Sequence, residues 1–236
     1  MKFVPVPITG GPTNGQRVLF SVWETRVQDY EVFAKETKRE WPKVEFEQGP
    51  THPAVNVSWD DAQAFCAWLN ERERKAGTLG ASDTYRLPSD HEWSCAVGLG
   101  RREDAAAAPI SKSGTIAVPY PWGNQWPPSQ RVGNFADKAA KEKNVKGKTG
   151  YLESYDDGYP WTSPVGSFPG DVFGLFVLLG NAREWCENGP GDGRASRVSR
   201  GASWFTGGEL QISYRSVDAD THTNVVGFRV VLAPAL

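Results

Sequence analysis

The stretch GNAREW, Gly180 to Trp185, sets a glycine, an amide and a carboxylate within five residues. A hard cation such as calcium takes carboxylate, amide and backbone oxygens around a tight bend, so these residue types are compatible with that chemistry, although on their own they do not make an ion expected. Other chemistries find less support. Cys66, Cys95 and Cys186 are odd in number and far apart, which argues against CxxC metal or redox sites and against a disulfide framework. Buried free thiols are expected, with a disulfide between two of them as the alternative. His52, His91 and His222 are equally scattered; His91, in SDHEW, is expected at the surface or at a helix cap, and His52 in a loop before a proline. Ser203, in GASW, does not sit in a GxSxG elbow. No Walker loop or GxGxxG phosphate cradle is present. The carboxylate pairs Asp60 with Asp61 and Asp156 with Asp157 fit a helix N-terminus and a turn better than acid/base catalysis.

Composition narrows the partners. Lys+Arg 26 against Asp+Glu 28 gives a formal charge of -2, without the broad basic field that holds nucleic acid or an anionic membrane, so neither is expected as a partner. No apolar run approaches the roughly 20 residues that span a bilayer. The start, MKFVPVPITGG, is too short and too broken by proline for a secretion signal. A cytoplasmic location is expected, or surface display as part of a longer exported chain. Ten Trp, 25 Gly and 17 Pro imply irregular backbone held by aromatic anchors.

Certain elements must position these residues. Val27, Tyr30, Phe33 and Ala34 have helical spacing, which predicts a helix near 26 to 38 with Thr25 as N-cap. Ser58 with Asp61 reads as a capping box, followed by the apolar stripe Ala62, Phe65, Cys66 and Leu69, and Gly77 stops that helix. Ser89 with Glu92 repeats the box before Trp93, Ala96 and Val97. From 99 to 170 there is no sustained period; Ala105 to Ala108 and KAAKEKNVKGK read as a solvated insertion, and the rest as loops carrying Trp122, Trp126 and Trp161. Strand signals concentrate in the last third. The expected fold class is α+β: one domain over 1–236, with two or three helices on a small twisted antiparallel sheet and little regular structure.

The stretches HPAVNVSWDDAQAFCAWLN, YRLPSDHEWSCA, PWGN, GNFAD, DDGYPWTSPVGSFPGDVFGLFVLLGNAREWCEN and RVSRGASW, followed by GFRVV, run in order from about residue 20 to 232. In these the chain resembles the formylglycine-generating enzyme, or sulfatase-modifying factor, family, whose core is similar to the C-type lectin fold. The resemblance implies two structural calcium sites. One falls on Asn134, Phe135, Asp157 and Tyr159, the aromatics through backbone oxygen. The other falls on Val177, Gly180, Ala182 and Glu184, with Val177 where the family usually has Asn. Ordinary Asx-turns and buried hydrogen-bonded acids are the alternative. As a calcium ligand, Glu184 should matter to thermal stability in calcium and hardly at all in chelator.

Family enzymes oxidise a substrate cysteine with a cysteine pair that holds copper, since soft thiolates suit Cu(I). The two positions fall on Thr206 and Gln211, so the resemblance implies no catalytic residue and no copper. A sister branch of sulfoxide synthases uses iron held by three histidines, largely from an additional domain, so no iron is expected. The frame resembles that of diversity-generating retroelement variable proteins, which randomise the segment between a GGSW-like turn and a terminal GFR. By that likeness Phe205, Gln211, Ser213, Ser216, Val217, Asp218, Asp220, His222, Thr223 and Asn224 form a ligand-facing surface for an unknown protein or small molecule, on a monomer. An ordinary surface loop is the bland alternative. A family enzyme with altered metal chemistry, or a regulatory module excised from a bacterial protein kinase, remain the other readings.

Overall fold

Thirteen short elements carry the described chain, a computed structural model covering residues 1–116, 120, 122–208 and 211–234. Pro121 of PWGN, and Glu209 and Leu210 within the candidate binding segment, lie outside the described residues. In order these are β1 (Phe3–Pro7), β2 (Arg17–Ser21), α1 (Val27–Thr37), α2 (Trp59–Lys75), β3 (Asp83–Arg86), α3 (Asp90–Ala96), α4 (Pro109–Lys112), α5 (Lys138–Glu142), β4 (Arg183–Trp185), β5 (Arg197–Arg200), β6 (Arg215–Asp218), β7 (Val226–Gly227) and β8 (Val231–Pro234). This is an α+β chain with little regular structure, as expected. Among the described residues no helix is long and apolar enough to cross a membrane.

The helix starts follow local capping chemistry. At α2 the Ser58 hydroxyl accepts from the Asp61 amide at 3.1 Å and the Asp61 carboxylate accepts from the Ser58 amide at 3.0 Å. At α3, Ser89 and Glu92 make the same exchange at 3.1 and 2.8 Å. Gly77 and Gly98 follow these helices with φ of 72° and 81°, a region glycine enters without Cβ strain. At α1 the cap is Arg26, not Thr25: the Asp29 carboxylate takes the Arg26 amide and guanidinium at 3.2 and 2.8 Å, while Thr25 is buried with its amide on the Phe228 carbonyl.

The strands divide into two four-stranded sheets instead of one. The first runs β1-β2-β8-β3, all antiparallel, so that the two ends of the described chain share a sheet. The second runs β6-β5-β4-β7, in which β4 and β7 are parallel. One apolar cluster gathers β1, β2 and α3 around Trp93 and Phe20; another gathers α1 and α2 around Tyr30, Phe65 and Phe228.

The segment 138–148 is less solvated than its lysines suggested. The Asp137 carboxylate caps α5 by accepting from the Ala139 and Ala140 amides at 2.9 and 3.3 Å, and Ala140 and Val145 pack on Trp204. All three cysteines are free and buried. His91 is buried as well, its Nε2 hydrogen-bonded to the Thr9 carbonyl at 2.7 Å, because α3 lies against the loop that follows β1.

Candidate functional site: the segment between β5 and β7

Two arginines set the frame of this segment. Arg200 ends β5 and Arg215 begins β6, and both side chains are fully buried. They converge on Asp90, the first residue of α3: Arg200 at 2.7 Å, Arg215 at 2.9 and 3.0 Å, with Lys112 of α4 adding a third cation at 2.8 Å. Arg215 also grips the Glu103 carboxylate at 2.8 and 2.5 Å. Arg200 lies over the Trp93 ring, 4.3 Å from its centroid, which offers its charge a π face. Burial alone would raise the Asp90 carboxyl, yet the surrounding cations hold it well below the usual carboxylate range. Between these anchors Gly201 turns the chain at φ 82°, where a Cβ would stand 2.6 Å from the Leu178 carbonyl.

Thr206 and Gln211, which the sequence resemblance sets against the oxidase cysteines, carry no thiol. Thr206 accepts from the Ser203 amide at 3.1 Å through its hydroxyl, and Gln211 is exposed with its amide oxygen over Gly114. Neither side chain can become a thiolate, and Cys66 and Cys186 lie in the core with burial pushing both thiols up.

The candidate surface divides by burial. Phe205, Gln211, Val217, Asp218, Asp220, His222, Thr223 and Asn224 are exposed or half-buried. Ser213 is not on a surface: it is fully buried, its hydroxyl exchanging hydrogen bonds with the Ile116 amide and carbonyl, each at 2.8 Å. Ser216 is also buried, donating to Asp218 at 3.1 Å. Tyr214, between Ser213 and Arg215, is the outward residue at 49% exposure. The sequence reading passed over it because the two buried neighbours that turn it out act through partners about a hundred residues away.

Several of the polar members have structural partners. Asp218 accepts from Arg183 at 3.2 Å and from Ser199 at 2.6 Å. Asp220 accepts from the Trp59 amide at 2.6 Å, in the first turn of α2. His222 Nε2 is 2.8 Å from an Asp61 oxygen in the same turn. The 218–222 stretch is thereby tied to the α2 N-terminus, whose dipole favours an acid such as Asp220. The nearby charge of Asp220 raises the Asp60 carboxyl.

The two calcium sets differ in what they offer. In the first, Asn134 Oδ1 is buried with no hydrogen-bond partner, while its amide nitrogen donates to Trp161 and Asn181. Beside it the buried Asp157 carboxylate takes the Phe135 and Tyr159 amides, both at 2.8 Å. Burial, followed by the charge of Asp137, pushes the Asp157 carboxyl up to about 8. An orphan amide oxygen beside a buried carboxylate that has no ion pair among the described residues, Arg131 acting on it only from farther off, fits a hard ion.

The second set does not fit as the sequence suggested. Glu184 accepts from Arg229 Nε at 3.0 and 3.2 Å, from Arg229 Nη2 at 2.8 Å and from Trp93 Nε1 at 3.0 Å. Those four contacts use the roughly four lone-pair sites of a carboxylate. The carboxylate nearer the Ala182 backbone is Glu24, which accepts from the Ala182 amide at 3.1 Å and Asn181 at 3.0 Å. Burial, then the charge of Glu184, pushes Glu24 up to about 8. Sequence reasoning missed it for want of any local signal. Among the described residues no group of three or more His, Cys, Asp or Glu side chains is arranged to hold a metal ion, so a cation here must draw on backbone and amide oxygens.

Val177 has φ 50°, the left-handed region in which a β-branched residue is strained. Asn tolerates that region better, because its side chain lacks the branch at Cβ. We expect Val177→Asn to raise stability by about 1 kcal/mol, a Tm gain of roughly 2–4 °C in a chain of this size. Thermal melts of the two proteins in chelator check this; a fall in Tm contradicts it.

The sulfatase-modifying factor enzyme 1-like domain matches residues 13–234. The formylglycine-generating enzyme of Bos taurus is 28% identical over 203 residues, covering 76% of this chain and 44% of that protein. The inactive C-alpha-formylglycine-generating enzyme 2 of Mus musculus is 30% identical over 166 residues, covering 70% of this chain and 41% of that protein. This chain thus spans less than half the length of either curated relative. Among solved structures, Treponema denticola variable protein 1 shares the fold, with TM-score 0.61 at 17% identity over 99% of this chain and 92% of that one. With residues 13–234 matched, the chain belongs to the sulfatase-modifying factor enzyme 1-like domain family.

Proposed function

We propose that this chain is a non-catalytic binding domain that presents the segment between β5 and β7 to a protein or small-molecule ligand. The observation that carries the reading is the contrast along that segment. Arg200 and Arg215 are locked into one buried ion network, Thr206 and Gln211 stand where an oxidase would need thiolates, and Phe205, Gln211, Tyr214, Val217, Thr223 and Asn224 reach the surface from that fixed frame. Rigid backbone with outward side chains is how binding modules limit the entropy lost on association. The inactive mouse relative and the variable protein of like fold support the same direction.

The further step is that the outward positions are diversified. Deep sequencing of the gene across a population of source cells tests it by comparing codons for 200–232 with those upstream. Substitutions concentrated at the outward residues, and sparing Ser213, Arg215 and Ser216, are expected. A uniform segment, or changes that strike the buried residues equally, overturns it.

We also propose that calcium stabilises the fold at Asn134, Phe135, Asp157 and Tyr159. A ligand that binds only the folded state stabilises by RT ln(1 + [L]/Kd), about 2.7 kcal/mol at a hundredfold excess over Kd. The wild-type Tm should therefore rise by roughly 5–10 °C on calcium addition. Asp157→Asn should abolish most of that rise. An equal rise in Asp157→Asn removes the assignment.

A further inference from the structure

The chain between α1 and α2 walls a concavity apart from the β5–β7 segment. From Lys43 to Gln48 the exposed Lys43, Glu45 and Glu47 alternate with the half-buried Val44, Phe46 and Gln48, the period of an extended strand, so every second side chain turns inward. The inward residues border a cavity of about 230 Å³ floored by the buried Val27 and Val55. An apolar cavity of roughly 150 Å³ already takes benzene, so this one has room for an aromatic ring and a short polar tail.

Its walls are fixed before any ligand arrives. Trp41 is held by its indole N–H on the Val55 carbonyl at 2.8 Å and by an edge contact with Tyr30 at 4.8 Å. Phe46 stacks on Trp161 at 5.7 Å and meets Trp204 edge-on at 5.3 Å. Gln48 Nε2 donates to the Pro53 carbonyl at 3.1 Å and to the Thr162 hydroxyl at 2.9 Å. A carbonyl only accepts, so the atom facing it must be the amide nitrogen, and Oε1 is left as the uncommitted acceptor of this side chain. At the mouth stand two exposed charges of opposite sign, Glu31 of α1 and Lys43. Among the described residues neither is ion-paired, and the arginines flanking α1 are committed elsewhere, Arg26 to Asp29 and Arg39 to Asp61.

We propose that this cavity binds a free α-amino acid with an aromatic side chain: the ring lies between Trp41 and Phe46, the ammonium meets Glu31 and Gln48 Oε1, and the carboxylate meets Lys43. Two acceptors and one cation around an apolar hollow match a ligand that carries an ammonium and a carboxylate on one carbon and an apolar ring beside them. The aromatic walls reward a ring beyond the area it buries, and the few polar groups set its orientation. The inference goes beyond the binding surface between β5 and β7, since Phe46 reaches Phe205 of that surface only through Trp204.

Calorimetric titration of the whole chain with L-phenylalanine, 3-phenylpropionate and phenethylamine tests this, because the second compound lacks the ammonium and the third the carboxylate. Phenylalanine should bind about threefold to fivefold more tightly than either, the size of an exposed ion pair. Glu31→Gln should weaken phenylalanine and phenethylamine by that factor and leave phenylpropionate unchanged. Lys43→Gln should weaken phenylalanine and phenylpropionate and leave phenethylamine unchanged. Both positions are exposed, so neither variant endangers the fold, and Glu45→Gln on the outward face serves as the control. Val44→Trp fills the cavity from its wall and should abolish binding of all three compounds. No saturable binding of phenylalanine below about 10 mM, equal affinity for the three compounds, or the same loss for all three in both charge variants overturns the proposal.

Discussion

Asp90→Ala lowers the unfolding free energy by about 3–5 kcal/mol, because it leaves Arg200, Arg215 and Lys112 buried without their shared carboxylate. The desolvation of three cations is already spent in the folded state, and Glu103 alone cannot offset it. Asp90→Asn keeps the shape and an acceptor oxygen but not the charge, and should lose most of the same stability. Denaturant unfolding measures both; a loss under about 1 kcal/mol for Asp90→Ala would show that the network is not what holds β5 and β6 to α3.

The same carboxylates set the acid limit. Burial works against Asp90, Glu92 and Glu103, but their cationic partners hold all three below the ordinary carboxylate range. A carboxyl with a depressed folded value contributes stability that is complete above its unfolded value, near 4, and is lost as the pH falls through the folded value. Wild-type stability should therefore fall steeply below about pH 4, and the slope should be shallower in Asp90→Ala, which has one fewer such group.

Glu184→Ala is expected to cost about 3–5 kcal/mol with calcium and equally in chelator. Its carboxylate neutralises Arg229, which is fully buried and also donates to the Ser21 and Phe176 carbonyls at 2.8 Å each. Removing Glu184 strands that guanidinium and also the Trp93 indole N–H. This reverses the expectation drawn from sequence, in which Glu184 matters only when calcium is present. Melts of the variant in calcium and in chelator decide between the two. A loss confined to calcium would return Glu184 to the ligand set.

The sequence was legible where the controlling contacts are local. The boxes at Ser58 with Asp61 and Ser89 with Glu92 act across three residues, so pattern alone located α2 and α3. The motif order pointed to the segment between β5 and β7 as a candidate surface, and to Thr206 and Gln211 as positions without thiols. What stayed hidden is long-range. Asp90 meets Arg215 across 125 residues and Glu184 meets Arg229 across 45, and no local spacing announces either pair. Tyr214 and Ser213 exchanged roles for the same reason, since Ile116 decides which of them turns inward. Ala140 and Val145 escaped notice among lysines because their partner, Trp204, belongs to a different part of the chain.

The central claim is that this frame binds and does not oxidise. It is tested most directly by incubating the chain with copper and reductant, removing unbound metal, measuring retained copper, and supplying a cysteine-containing peptide with oxygen. The account predicts no stoichiometric copper and no peptide aldehyde, because Thr206 and Gln211 offer hard oxygen where Cu(I) requires thiolates. About one copper retained per chain, with oxidation of the peptide cysteine, would contradict it.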